Sequence, residues 1–271
     1  MKGIRTICNV HNVVGHESNF LDRILTRLFL SGIDLPIVHS SKNLVQLQAL
    51  IGRAGKFLPI GMPSYLVETC TRDEARRALD LPQDARVLLA FGNIRRYKGI
   101  DLLLHGFALI HKSDPSAVLV IAGENWIDWN PFQKLIDDYQ LGDSVRLHLN
   151  FIERSDVKLF FTGADLLVLP YTHFDAQSGP GRIALGYELP MLLSDVGGLK
   201  DLVKDHASCL INPHDPKDIH DKAIAIFSNS ELSRKLATDC KLIQVKFRWE
   251  KIAIQTLELY RHITHSSLNR N

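Results

Sequence analysis

Short apolar runs alternate with segments of helical periodicity along nearly the whole chain. The runs fall at Ile4–Val10, Leu35–His39, Lys56–Ile60, Val87–Phe91, Val118–Ala122, Val145–Leu149, Leu166–Leu169, Met191–Ser194 and Cys209–Ile211. They are largely apolar rather than alternating, the pattern of strands covered on both faces of a parallel sheet. Amphipathic helices lie between them. Ile100, Leu103, Leu104 and Phe107 repeat at helical spacing, as do Phe132, Leu135, Ile136 and Tyr139. Thr71 and Glu74 predict a capping box opening a helix through Leu79. A further helix is expected over Ile183–Tyr187. Strand and helix alternating through short loops predict right-handed crossovers and a doubly wound α/β fold.

Two prolines and a glycine in Pro59–Pro63 break any regular element and mark a boundary. The six predicted strands after it complete one Rossmann-like domain. The three before it are too few for a domain, so residues 1–62 read as the back half of one whose front half is absent. The predicted helix Asn19–Leu30 mixes Phe20, Leu21, Ile24, Leu25, Leu28 and Phe29 with Arg23 and Arg27. Two readings stand: a helix lying on an anionic membrane surface, or, favoured, a core helix with two snorkelling arginines.

Composition narrows the class. At 271 residues, 45% hydrophobic and 23% charged, the chain is globular and about two domains long. A net charge of +2 is too balanced for a dedicated nucleic-acid binder. Cys8, Cys70, Cys209 and Cys240 are far apart, with no zinc or redox spacing. No apolar stretch is long enough to span a bilayer, and polar residues from Asn9 onward interrupt any signal peptide. A reduced, cytoplasmic setting is expected, with the inner membrane face as a peripheral contact through 19–30.

Two loops carry candidate chemistry. Phe91–Gly99 ("FGNIRRYKG") follows a strand and precedes a helix. Gly92 and Gly99 allow a tight turn, and Arg95 and Lys98 place two cations where a diphosphate would meet a helix N-terminus. A solvated basic loop is the alternative. Pro170–Arg182 ("PYTHFDAQSGPGR") has the same placement. Ser178, Gly179 and Gly181 leave amides free for an anion, and Asp175 is suited to sugar hydroxyls. The alternative is an ordinary Ser/Gly helix cap. Asp195–Leu199 is a third, weaker glycine turn.

The segments "GNIRRYKGIDLLL", "IAGENW", "FIERSDVKLFFTGADLLVLPY", "QSGPGRIALGYELPMLLSDVGGLKDLV" and "INPHDPKDI" together resemble the retaining glycosyltransferases of family 4, which have the two-domain GT-B fold. The resemblance is strongest over 86–216. It implies a partial acceptor-side domain (1–62), a donor-binding domain (63–247) and a helix (248–265) crossing back to the N-terminal domain, with Trp249, Ile252, Ala253, Thr256, Tyr260 and Ile263 on one stripe. It implies a nucleotide-diphosphate sugar donor and a glycan or lipid-linked acceptor, with no cofactor and no metal. Arg95 and Lys98 match the diphosphate pair, with Gly92, Ser178, Gly179 and Arg182 around them. Asp175 matches a carboxylate at the donor sugar, Glu124 the acid of the "GE" turn, and Phe151 and Ile152 the loop that reads the base. His11, in "NVHNVVGHE", matches an active-site histidine, with His16 less secure.

There are departures. Ile183 stands where a second glutamate usually contacts ribose, and Ile60 where a histidine is common. Roughly a hundred N-terminal residues of the family have no counterpart here. Sugar transfer with retention is the expected function. A remnant that binds nucleotide sugar without transferring it is the runner-up, ahead of an epimerase or phosphorylase. The incomplete N-terminal domain is also expected to favour self-association.

Overall fold

The computed structural model describes residues 4–13, 20–53, 56–57, 68–174, 178–203 and 209–265. They fall into two compact units. The predicted boundary at Pro59–Pro63 lies outside the described residues.

The smaller unit begins with β1 (Ile7–Val10), α1 (Phe20–Ser31), β2 (Leu35–Val38), α2 (Ser41–Ile51) and β3 (Lys56–Phe57). Its strands are parallel in the order β1-β2-β3. Ser40 caps α2 by accepting the Asn43 N–H. Val10, Val13, Leu30, Val38 and Leu47 form one core. Among the described residues α1 is not the core helix expected from the sequence. Phe20, Leu21, Ile24, Leu25, Leu28 and Phe29 are exposed, and only Leu30, in the last turn, is buried.

The larger unit contains α3 (Arg72–Ala78), β4 (Val87–Phe91), α4 (Ile100–Ser113), β5 (Val118–Ala122), α5 (Asn130–Asp138), β6 (Val145–His148), α6 (Val157–Gly163), β7 (Leu166–Leu169), α7 (Gly179–Gly186), β8 (Met191–Ser194), β9 (Leu210–Ile211), α8 (Pro216–Ser228) and α9 (Ser230–Lys246). Its six parallel strands run in the order β6-β5-β4-β7-β8-β9. This is the α/β, Rossmann-like sheet expected from the uniform apolar runs, and Leu88, Leu89, Leu119, Leu166, Leu167, Leu192 and Leu193 are fully buried within it. The Thr71–Glu74 capping box forms as predicted.

The chain's last described element is α10 (Trp249–His265), which belongs to the smaller unit. Its Leu259 packs with Ile37, Ile7 and Leu35. Ile37 and Val38 are successive strand residues, so α10 covers the sheet face opposite the first core. The buried stripe differs from the predicted one. Ile252 and Leu259 are inside, while Trp249 and Tyr260 are exposed, because seven residues bring a helix back to the same face.

At the foot of the larger sheet, Arg76 is fully buried. Its Nη2 lies 2.9 Å from Asp165 Oδ2. Its Nε donates to the Gly163 carbonyl at 3.1 Å and its Nη1 to the Ala85 carbonyl at 3.1 Å. The same Asp165 oxygen accepts the Val87 N–H at 2.8 Å. Arg76→Leu would leave this carboxylate and both carbonyls without the guanidinium. The expected cost is about 3–5 kcal/mol, read as a lower urea midpoint of the larger unit's transition.

Candidate functional site

In the larger sheet β4 pairs with β5 on one side and with β7 on the other. The direction of winding reverses there, and the crevice beyond the strands' carboxyl ends is where open α/β sheets take ligands. The two loops singled out in the sequence leave from these neighbouring strands.

Their backbones are held against each other. Thr172 N donates to the Tyr97 carbonyl at 2.9 Å. Gly99 has φ +64°, and a Cβ there would lie 2.0 Å from the Pro170 carbonyl oxygen. Only glycine accepts both the dihedral and the approach. Tyr97 meets Tyr171 edge-on at 5.6 Å and stacks on Phe174 at 5.9 Å.

Inside this contact sits Lys98, itself buried. Its ammonium donates to the Tyr171 hydroxyl and lies 4.1 Å from that ring's centroid. Burial pulls Lys98 down to about 8, since leaving water disfavours the charged form. Burial likewise pushes the Tyr171 phenol well above its ordinary range, opposed by a hydrogen bond with Ser178.

Ser178 is the N-cap of α7 and accepts the Gly181 N–H at 3.3 Å. The helix therefore starts at Gly179, one turn before the predicted Ile183. Glycine and proline read as breakers in sequence, yet both suit a helix's first turn. Gly92, at φ +100°, closes the cluster. A Cβ on it would lie 3.1 Å from Pro180 Cγ and 3.6 Å from Lys98 Nζ. Thus Gly92, Lys98, Ser178 and Gly179 meet around the positive end of α7.

The other expected residues are spread around this centre. The Arg95 guanidinium lies 4.4 Å over the Trp126 ring. Trp126 Nε1 donates to Glu124 Oε2 at 2.9 Å, so Glu124 is engaged within its own loop. Phe151 and Ile152 line a cleft of about 300 Å³ with Glu68, Arg154, Val157, Ile183 and Tyr187. Tyr187 closes one side by donating its hydroxyl to the Glu68 carbonyl at 3.1 Å. Arg182 is buried to 2% exposure within α7. His11 is in the smaller unit, exposed, with its ring 5.2 Å from that of His39. Asp175, His16 and Ile60 lie outside the described residues.

The sequence did not single out Tyr171, Pro180, Trp126 or Tyr187. The available signal was an aromatic residue directly after the proline that ends β7, which also fits plain core packing.

Comparison with known proteins agrees with this geometry. The family model described as glycosyl transferases group 1 matches residues 71–241. D-inositol 3-phosphate glycosyltransferase 1 of Catenulispora acidiphila is 27% identical over 247 residues, covering 86% of this chain and 58% of the relative. The same-named protein of Thermomonospora curvata is 28% identical over 69% of this chain and 45% of its own length. The chain thus spans about half the length of the curated relatives it matches. Sucrose-phosphate synthase from Thermosynechococcus elongatus aligns with TM-score 0.80 and 23% identity, over 96% of this chain and 68% of that one. Anabaena HepE, solved in complex with UDP, aligns with TM-score 0.83 and 17% identity, over 95% and 72%. These two likenesses establish the fold, the GT-B type expected from the sequence.

Gly99→Ala would force the two loops apart. A destabilisation of at least about 2 kcal/mol is expected from the left-handed dihedral and the backbone clash together. Chemical denaturation of the purified chain measures it.

Proposed function

The chain belongs to the glycosyl transferases of group 1, and on that premise we propose that it binds a nucleoside-diphosphate sugar at the β4–β7 crevice and transfers the sugar with retention, as in family 4. The observation that carries this reading is the convergence of Gly92, the Lys98 ammonium and the first turn of α7. A buried cation beside the positive end of a helix at a sheet's winding reversal suits a diphosphate.

In this reading Lys98 and the backbone N–H groups of Ser178 and Gly179 neutralise the diphosphate, and Arg95 leaves its indole stack to join them; Pro180 has no N–H, and that of Gly181 is taken by the Ser178 hydroxyl. The base enters the cleft lined by Phe151 and Ile152. Ile183 takes the usual place of a ribose-binding carboxylate, so no hydrogen bond to ribose comes from that position. Asp175 contacts the donor sugar, and His11 serves the acceptor side. The bond from the anomeric carbon to the diphosphate oxygen breaks as an acceptor hydroxyl attacks the same face. The hydroxyl proton passes to the departing diphosphate. The protein supplies positioning and charge stabilisation. A glycan or lipid-linked alcohol is the proposed acceptor, and a hexose the proposed sugar.

Two measurements test the donor assignment. Replacing Arg95 and Lys98 together with Ala should weaken UDP or GDP binding by about 2–4 kcal/mol, since charge-assisted contacts contribute roughly 1.5–3 each. Unchanged affinity by calorimetry would remove the diphosphate from this loop. Phe151→Ala should cost about 1–3 kcal/mol of nucleotide affinity through lost base stacking. Inorganic pyrophosphate binding should stay the same, and an equal loss for both ligands contradicts the base assignment.

A further inference from the structure

Tyr171 has no role in the reading above, although it touches both anion-facing loops. Resting on that reading of Lys98, we propose that Tyr171 is a positioning residue for the Lys98 ammonium. Its hydroxyl keeps the cation charged and aimed in the donor-free protein and releases it to the diphosphate.

The geometry is that of a cage. The Lys98 nitrogen stands 4.1 Å from the Tyr171 centroid and 5.6 Å from that of Tyr97. Two aromatic faces and one hydroxyl replace the water that an exposed lysine would have. The Tyr171 hydroxyl also has a hydrogen bond with Ser178, the cap of α7. The hydroxyl therefore links the cation of one loop to the helix cap of the other.

The Tyr171 hydroxyl is the hydrogen-bond partner of the Lys98 ammonium, and the charged and titratable groups around the pair are few. Burial lowers Lys98, Tyr97 raises it and Arg95 lowers it. His173 packs on Tyr97 from the loop after β7. Among the described residues no carboxylate acts on Lys98. Tyr171 is itself far from ionising, so it helps as a hydrogen-bond acceptor and not as a counter-ion. A hydrogen bond to the charged form favours that form. Removing it should bring deprotonation of Lys98 to lower pH.

Simple packing predicts otherwise. If Tyr171 served only as a core ring against Tyr97 and Phe174, Tyr171→Phe would change nothing that titrates. The experiment is calorimetric binding of UDP and GDP, following the tighter ligand from pH 6.5 to 9.5. Wild type should lose affinity above about pH 8, where the free ammonium is deprotonated. Tyr171→Phe should match it within about twofold at pH 6.5. Its alkaline fall should begin about one pH unit earlier, the shift expected for one hydrogen bond to a charged group. Lys98→Met should abolish the fall. Coincident profiles for wild type and Tyr171→Phe overturn the proposal, as does a fall that survives in Lys98→Met. Absence of nucleotide binding at every pH overturns the donor reading itself, and this proposal with it.

Should Tyr171→Phe fail to fold, wild type decides alone. At pH 8 nucleotide binding should take up roughly half a proton, measured in buffers of different ionisation enthalpy. No uptake there overturns the proposal.

Discussion

The larger unit depends on how firmly β4 and β7 are joined, because the candidate site hangs from the far ends of these two strands. Their ladder is short: only Leu88 with Leu166 and Leu89 with Leu167 are paired. Asp165 extends the join below it. Its backbone N–H donates to the Val87 carbonyl, and its carboxylate accepts the Val87 N–H. The buried Arg76 guanidinium then ties that carboxylate to the carbonyls that end α6 and precede β4. A charged pair inside a protein is costly unless its remaining donors are used. Here they are spent on backbone oxygens that would otherwise be buried and unpaired.

At the opposite end of the same strands the electrostatics are reversed. The foot pairs a cation with an anion. The crevice keeps Lys98 among aromatic rings, with Arg95 stacked on an indole and the positive end of α7 alongside. Among the described residues neither Lys98 nor Arg95 has a carboxylate in ion-pair contact, and Glu124 is held by the Trp126 indole. A polyanionic ligand would supply the missing charge, which is why one sheet can be stable at its foot and receptive at its top.

Much of this was legible in the sequence. Val87–Phe91, Val118–Ala122, Leu166–Leu169 and Met191–Ser194 are strands with the predicted bounds, because uniform apolar runs have few other uses in a chain with helices between them. Gly92 and Lys98 were legible as loop chemistry, and the structure brings them to the Ser178 cap. What stayed hidden depended on tertiary partners. Tyr171 reads as core until Lys98 is placed against its hydroxyl. Glu124 reads as a free acid until Trp126 is seen donating to it. The burial of Leu259 rather than Tyr260 is a choice of helix face, and both faces of α10 carry apolar residues. The exposure of α1 could not be read from its composition, which suits a core helix equally well.

The contact between Gly99 and the Pro170 carbonyl has a further consequence. With the Thr172 to Tyr97 hydrogen bond, it fixes two loops from different strands as one rigid rim before any ligand arrives. Ordering loops on association costs conformational entropy that must be recovered from contacts. Here much of that ordering is already accomplished during folding. The stability of the domain and the affinity of the crevice therefore draw on the same few atoms, and a change at this seam would register in both.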